Sequence, residues 1–417
     1  MKYVILHGEG LVDRAYPELG GKTPLQAAAT PNMDVLGQTG ELGRMAVQPE
    51  GPMQSLEITT LGLLGYDPRK VATGPAPFEA LGIGVALGEQ DVAFRCSMVT
   101  LKSLAPAKKG DGAYPEIKKL GPQVALEADN AGGITTEEAR ELIDAVNEQL
   151  GSETIQFYHG TEHEHFMVWV GGTAKATCVD PHEVVGRSIG EALPTGENAD
   201  VLRKLMEASL IILGTHPVND QRQEAGLKPA NCLWLWGQGK TPKLAKISDR
   251  FQVVGAVVSP SDLVRGIGVC AGLRGVDPDE FTRDGEIDLS AQGERGLREL
   301  ETCDFLYLHT ALPASDEGRE DPKTKCGILE EFDRKVVGVI LDGLKKMGTS
   351  RVCLIGDGCA SARKPDKAMD TVLYAYRDGT RQPSSPVERR FNEAEAKAAE
   401  AGIRHATKLV GRLFARS

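Results

Sequence analysis

Near the C-terminal end of the chain stands Arg351-Val-Cys-Leu-Ile-Gly-Asp357-Gly-Cys-Ala-Ser-Ala-Arg-Lys364. Val352 to Ile355 form an apolar run of strand character, which delivers Asp357 to a turn flanked by glycines. The N-terminus has the same plan: Tyr3 to Leu6 reads as a buried strand that breaks into His7-Gly8-Glu9-Gly10. Open α/β sheets place functional groups at such strand-to-turn junctions. Val253 to Val258 and Phe305 to His309 add two more short apolar strands. Helical signals lie between them. Thr23 to Gly40 has helical character with a glycine stop, and Ser55 to Leu64 is a second helix, ended by Gly65-Tyr-Asp-Pro68. Ser261 to Ala271 is a third, which Ser259 or Ser261 could cap. Ile328, Leu329, Phe332, Val336, Val337, Ile340, Leu341 and Leu344 trace one apolar helix face. Strands alternating with helices predict a mainly parallel sheet covered on both faces.

From about residue 85 the character is more mixed. Val92 to Leu101 alternates like a half-exposed strand, and Thr135-Thr-Glu-Glu opens a helix with a capping signature. Phe166 to Val170 is a strand, and a long helix is expected from near Asn198 to Leu213. Cys232 to Trp236 reads as a strand entering a glycine turn, Gly237-Gln-Gly-Lys240. The expected organisation is a core of residues 1–80 and 240–417 with an inserted α/β domain over 85–240. The tail Val387–Ser417 reads as a charged helical segment packed on the core.

Composition narrows the function classes. A chain of 417 residues with 41% hydrophobic and 26% charged residues has ample core for more than one domain. Its net charge of −11 argues against nucleic-acid binding, which needs clustered Lys and Arg. A small phosphorylated or carboxylated metabolite stays compatible, since a few local arginines can override the global field. The eight cysteines show no CxxC pair and read as reduced thiols. No apolar run approaches the length of a membrane span, so a cytoplasmic protein without membrane partners is expected.

Several stretches resemble the archaeal-type, cofactor-independent phosphoglycerate mutases of the alkaline phosphatase superfamily. They are Leu19-Gly-Gly-Lys-Thr-Pro-Leu25, Thr30-Pro-Asn-Met-Asp34, Leu64-Gly-Tyr-Asp-Pro68, Asp91-Val-Ala-Phe-Arg-Cys96, Ile134-Thr-Thr-Glu-Glu138, His216-Pro-Val-Asn219, Trp234-Leu-Trp-Gly-Gln-Gly-Lys240 and Ser261-Asp-Leu-Val-Arg-Gly-Ile-Gly268. They are spread over nearly the whole chain. The resemblance implies an alkaline-phosphatase-like, mainly parallel sheet sandwiched by helices. It also implies phosphoryl transfer between the 2- and 3-positions of phosphoglycerate, through a phosphoserine beside two divalent metals (Mn, Zn or Mg). Two cations neutralise the transferring phosphoryl group and polarise the serine.

The matching positions depart from that pattern. Counting back from Leu64-Gly-Tyr-Asp-Pro68 puts the family serine on Leu56, and Ser55 reaches the place only with a one-residue gap. The metal positions fall on Glu9, on Asp316 in Ala314-Ser-Asp-Glu-Gly-Arg-Glu320, and on Asp357; Gly358 and Lys367 stand where imidazoles are expected. On the substrate side Arg95, His165, Lys240 and Arg265 are retained, while Glu164 and Gly133 replace a basic residue and a histidine. Imidazole nitrogen is what makes a Zn or Mn site tight, and Gly or Lys cannot replace it. The expectation is therefore a divergent homologue whose mutase activity is lost or much reduced, with a binding or regulatory role and no metal pair held in the family manner. Two alternatives stand beside it: a phosphotransferase or phosphatase with a carboxylate-only Mg²⁺ site, and a genuine phosphoglycerate mutase. Residue by residue the choices are open. Ser55 is a displaced nucleophile or a helix cap. Glu57, Asp316, Glu317, Asp357 and Asp370 are an oxygen-only cation site or solvated loop acids. His159, His163 and His165 are a metal cluster or separate side chains, and His7 with Cys359 is a base–nucleophile pair or structural.

Overall fold

The computed structural model describes all residues except 48–54, 107–111, 284, 313–320, 359–370, 382–386, 400–401 and 416–417. Asp316, Glu317, Lys367, Asp370 and Cys359 lie outside the described residues. The chain divides into two compact units, one of Met1–Ala72 with Lys243–Ser417 and one of Thr73–Pro242. No helix among the described residues is long and apolar enough to cross a membrane.

The first unit is built on a seven-stranded sheet. In spatial order its strands are Arg274–Gly275, Gly255–Val258, Phe305–Ala311, Lys2–Val12, Ser350–Gly358, Thr371–Asp378 and Glu41–Ala46. The first five run parallel and the last two pairings are antiparallel. Central parallel strands are buried on both faces, which is why Val4, Ile5 and Leu6 are fully buried in succession. On one side Val4, Leu6, Leu306, Leu308, Val352 and Leu354 pack with Phe332, Val336, Val337 and Ile340. The apolar face read between Ile328 and Leu344 is thus a core face. Its helix is not regular throughout: Pro322–Phe332 passes through a π-helical stretch, Asp333–Gly338, into Val339–Leu344. In that wider turn the Asp333 carboxylate accepts from the backbone N–H of Met33 at 2.7 Å and of Asn32 at 3.2 Å, capping the next helix (Pro31–Thr39).

Four local readings are corrected by the structure. The N-terminal strand expected to break at His7 runs on as Lys2–Val12, because His7, Gly8 and Glu9 stay paired with His309, Thr310 and Ala311. The segment expected as one helix from Thr23 to Gly40 is two, Pro24–Ala27 and Pro31–Thr39, because Pro31 excludes the α conformation at Thr30. The strand expected to stop at Trp236 runs on as Cys232–Lys240, its pairing with Val92 and Ala93 outweighing the turn preference of Gly237 and Gly239. Among the described residues the C-terminal tail forms short helices, Glu393–Ala398, Ala406–Lys408 and Leu409–Leu413, and Phe391, Ile403 and Leu409 are buried in the first unit.

The second unit holds an antiparallel sheet in the order Val124–Ala128, Val92–Ser103, Glu164–Trp169, Ile155–Thr161, with Cys232–Lys240 pairing Val92–Ser103 on its other side. The helix Thr136–Leu150 starts at the capping box read in the sequence, in which Thr135 and Glu138 satisfy each other's backbone N–H. It packs with Ala199–Gly214 over Phe94, Cys96, Met98 and Met167.

Candidate functional site

Strand register gathers the polar residues of the first unit. His7 is in register with His309 on one side and with Ile355 on the other. Alternate residues of a strand share a face, so Tyr307 and His309, His7 and Glu9, and Asp357 all fall on one side of the sheet near the strands' C-terminal ends. Ser259 follows Val258, which is in register with Leu308, and so comes beside His309. Gln292, fully buried, donates to the His309 carbonyl at 2.9 Å and accepts from the Thr310 hydroxyl at 2.7 Å, fixing that strand end.

Two chains of hydrogen bonds result. His7 Nε2 lies 3.0 Å from Asp357 Oδ2, and its Nδ1 lies 2.9 Å from the Tyr307 hydroxyl. His309 Nε2 lies 3.2 Å from Glu9 Oε2, and its Nδ1 lies 2.9 Å from Ser259 Oγ. A carboxylate can only accept, so each ring carries a proton on the nitrogen that faces its acid. The two rings stand 4.9 Å apart, tilted by 58°. His7, His309, Tyr307 and Ser259 are fully buried, and Asp357 is nearly so. Gly10 N–H donates to Asp357 Oδ1 at 3.3 Å. Glycine is required there: φ is +84°, and a Cβ would come within 2.8 Å of the Leu312 carbonyl oxygen.

Burial would raise the Glu9 carboxyl, but its hydrogen bond to His309 and the nearby His309 and His7 rings outweigh that and hold it below the ordinary value. His309 is lowered, first by burial and then by the neighbouring His7, against the pull of Glu9. An ionised Glu9 that accepts from a neutral His309 satisfies both directions. Tyr307 is raised, mainly by burial and further by the charges of Asp357 and Glu9.

Among the described residues the donor set does not suit the pair of divalent ions that the resemblance implies. Glu9 and Asp357, the two described carboxylates expected at metal positions, are paired with imidazole, and both nitrogens of each imidazole are engaged. Leaving one buried nitrogen unsatisfied would cost about 1–3 kcal/mol. Among the described residues no group of three or more His, Cys, Asp or Glu side chains is arranged to hold a metal ion. Of the two readings of His159, His163 and His165, the structure gives separate side chains for two of them: His159 pairs with Asp144 at 3.0 Å on the surface, and His165 is fully buried.

The other sequence candidates fall as follows. Ser55 caps the helix Leu56–Leu63, its exposed Oγ accepting from Ile58 N–H at 3.2 Å. Arg265 is buried, and its guanidinium donates to the carbonyls of Ser259 and Pro260 at 3.4 and 3.3 Å and to Asp262 at 2.5 Å. It shapes the loop that carries Ser259. In the second unit, Arg95 makes a two-pronged pair with Glu79 and lies over the Trp236 ring at 4.5 Å. Burial works against its charge, but Glu79, with Glu164 and Asp180 beyond, outweighs that and raises it. Lys240 is exposed, with Nζ 3.5 Å from Gln90 Oε1. Tyr307, His309 and Ser259 are the site residues that sequence reasoning passed over. The signal was available: three apolar strands each end in a polar side chain.

Comparison with known proteins extends this picture. The model of 2,3-bisphosphoglycerate-independent phosphoglycerate mutase matches residues 37–219. A Geobacter sulfurreducens protein named "Probable 2,3-bisphosphoglycerate-independent phosphoglycerate mutase" is 42% identical over 361 residues, 86% of each chain. A Methanosarcina barkeri protein named as the same enzyme is 35% identical over 418 residues, 99% of this chain and 98% of its own. The solved structure of a cofactor-independent phosphoglycerate mutase from Thermoplasma acidophilum shares the fold, with a TM-score of 0.63 and 24% identity over 99% of both chains. The sequence motifs, the sheet they build and these full-length relatives agree: the chain belongs to the 2,3-bisphosphoglycerate-independent phosphoglycerate mutase family.

Proposed function

We propose that this chain is a family member in which the phosphoserine reaction is lost or much reduced, and that it acts by binding a small phosphorylated or carboxylated metabolite, phosphoglycerate first among them. One observation carries the reading. Counting along the sequence puts Leu56 where the family serine is expected, and the neighbouring Ser55 hydroxyl accepts from the Ile58 N–H as a helix cap. Among the described residues no hydrogen bond joins the Ser55 hydroxyl to a general base that could take its proton. The imidazole–carboxylate pairs support the same conclusion, since the metal positions retained at Glu9 and Asp357 are already partnered.

A second reading, interconversion of 2- and 3-phosphoglycerate at an ordinary enzymatic rate, is favoured by the names of the full-length relatives. An enolase-coupled assay with 3-phosphoglycerate and added Mn²⁺ separates the two. The first reading expects little or no turnover, equal in the wild-type chain and in Ser55→Ala, together with a phosphoglycerate-dependent rise in melting temperature. Metal-stimulated turnover that disappears in Ser55→Ala establishes the second.

A further inference from the structure

The geometry points to an exchange of partners at the head of the sheet: His7 and His309 stand in for metal ions as the partners of Asp357 and Glu9, so that the Met1–Ala72/Lys243–Ser417 unit closes without divalent metal. Buried carboxylates need a donor or a cation opposite them. Here each has an imidazole N–H, at 3.0 Å for Asp357 and 3.2 Å for Glu9. The outer side of each ring is also fixed. Tyr307 closes the His7 chain at 2.9 Å. Ser259 closes the His309 chain at 2.9 Å and also accepts from Ser261 N–H at 3.0 Å.

The exchange is built into the backbone. His7 and His309 are directly in register on neighbouring parallel strands, so their rings lie side by side on the face that carries the acids. Glu9 lies two residues beyond His7, and Asp357 two beyond Ile355, the register partner of His7. His7 and His309 thus supply a row of imidazoles, and Glu9 and Asp357 follow two residues further along their strands, where the pairing of those two strands becomes irregular. Histidines at metal sites normally leave one nitrogen to the ion and give the other to an outer partner. In this centre the nitrogen an ion would take is occupied by an acid on both rings.

Thermal unfolding of the full chain, followed by circular dichroism, tests the exchange without reference to turnover. The melting midpoint is expected to be the same in EDTA, Mg²⁺, Mn²⁺ and Zn²⁺, and elemental analysis of the purified chain to find no stoichiometric metal. In His7→Ala the freed Asp357 is expected to give a lower midpoint that Mn²⁺ raises. A wild-type midpoint that climbs with Mn²⁺ or Zn²⁺, or stoichiometric bound metal, overturns the inference. So does a His7→Ala chain that melts as the wild type does or ignores Mn²⁺. Should that variant fail to fold, the wild-type measurements decide alone. A metal-indifferent chain that still turns over phosphoglycerate removes the proposed loss of activity and leaves this inference standing. A metal-binding chain without turnover does the reverse.

Discussion

His165 should make the Thr73–Pro242 unit acid-labile, and the size of the effect can be worked from its surroundings. The side chain is fully buried, and its Nε2 has no hydrogen-bond partner among the described residues. Burial first, then the nearby His159 and His163 rings, push its pKa down from 6.5 to about 3, against a contact with the Glu162 backbone. The unfolded chain takes up this proton near pH 6.5 and the folded chain only near 3. The contribution to stability is therefore intact above 6.5 and drains away as the pH falls. Linkage sets the loss at about 2 kcal/mol between pH 7 and pH 5, and about 5 kcal/mol once both values are passed. All three tryptophans, Trp169, Trp234 and Trp236, lie in this unit, so intrinsic fluorescence in urea reports its unfolding and not that of the other unit. His165→Gln removes the titration and keeps an oxygen able to accept from Gly160 N–H, which now donates to His165 Nδ1 at 3.1 Å. Wild-type chain should lose roughly 1 M more in urea midpoint than the variant on going from pH 7 to pH 5. Equal losses in the two chains would refute the reasoning.

Three further outcomes follow from the geometry. Gly10→Ala places a Cβ against the Leu312 carbonyl in a left-handed conformation; it should destabilise the first unit by about 2–4 kcal/mol, measured by far-UV circular dichroism in urea. Asp333→Ala leaves the Asn32 and Met33 N–H groups without their acceptor and should cost about 2 kcal/mol in the same assay, with Asp333→Asn costing less. Ser55→Ala removes a helix cap and should cost about 1 kcal/mol, so any activity it abolishes outright cannot be charged to stability.

Much of the fold could be read along the chain because its causes are local. The apolar runs at Tyr3–Leu6, Phe305–His309 and Val352–Ile355 are strands, and Ser261 and Thr135 cap helices as their neighbours suggest. Their alternation with helices predicts the mainly parallel sheet that is found. The misreadings arise where a distant or stereochemical effect outweighed local preference. Pro31 breaks a helix that composition favoured, and pairing with Val92 and Ala93 draws Gly237–Lys240 into a strand.

The candidate site divides in the same way. Sequence by itself placed Asp357 at a strand end and read Glu9 as lying just past one, where the strand in fact runs on to Val12. It could not show what those acids hold. His7 meets Asp357 across 350 positions of sequence, and His309 meets Glu9 across 300. Contacts at such separation follow from which strands are neighbours and in what register, and neither is encoded in any local stretch. Only the folded sheet sets His7 beside His309 and turns two isolated acids into two closed hydrogen-bonded chains, because parallel pairing brings to one face residues the chain keeps far apart.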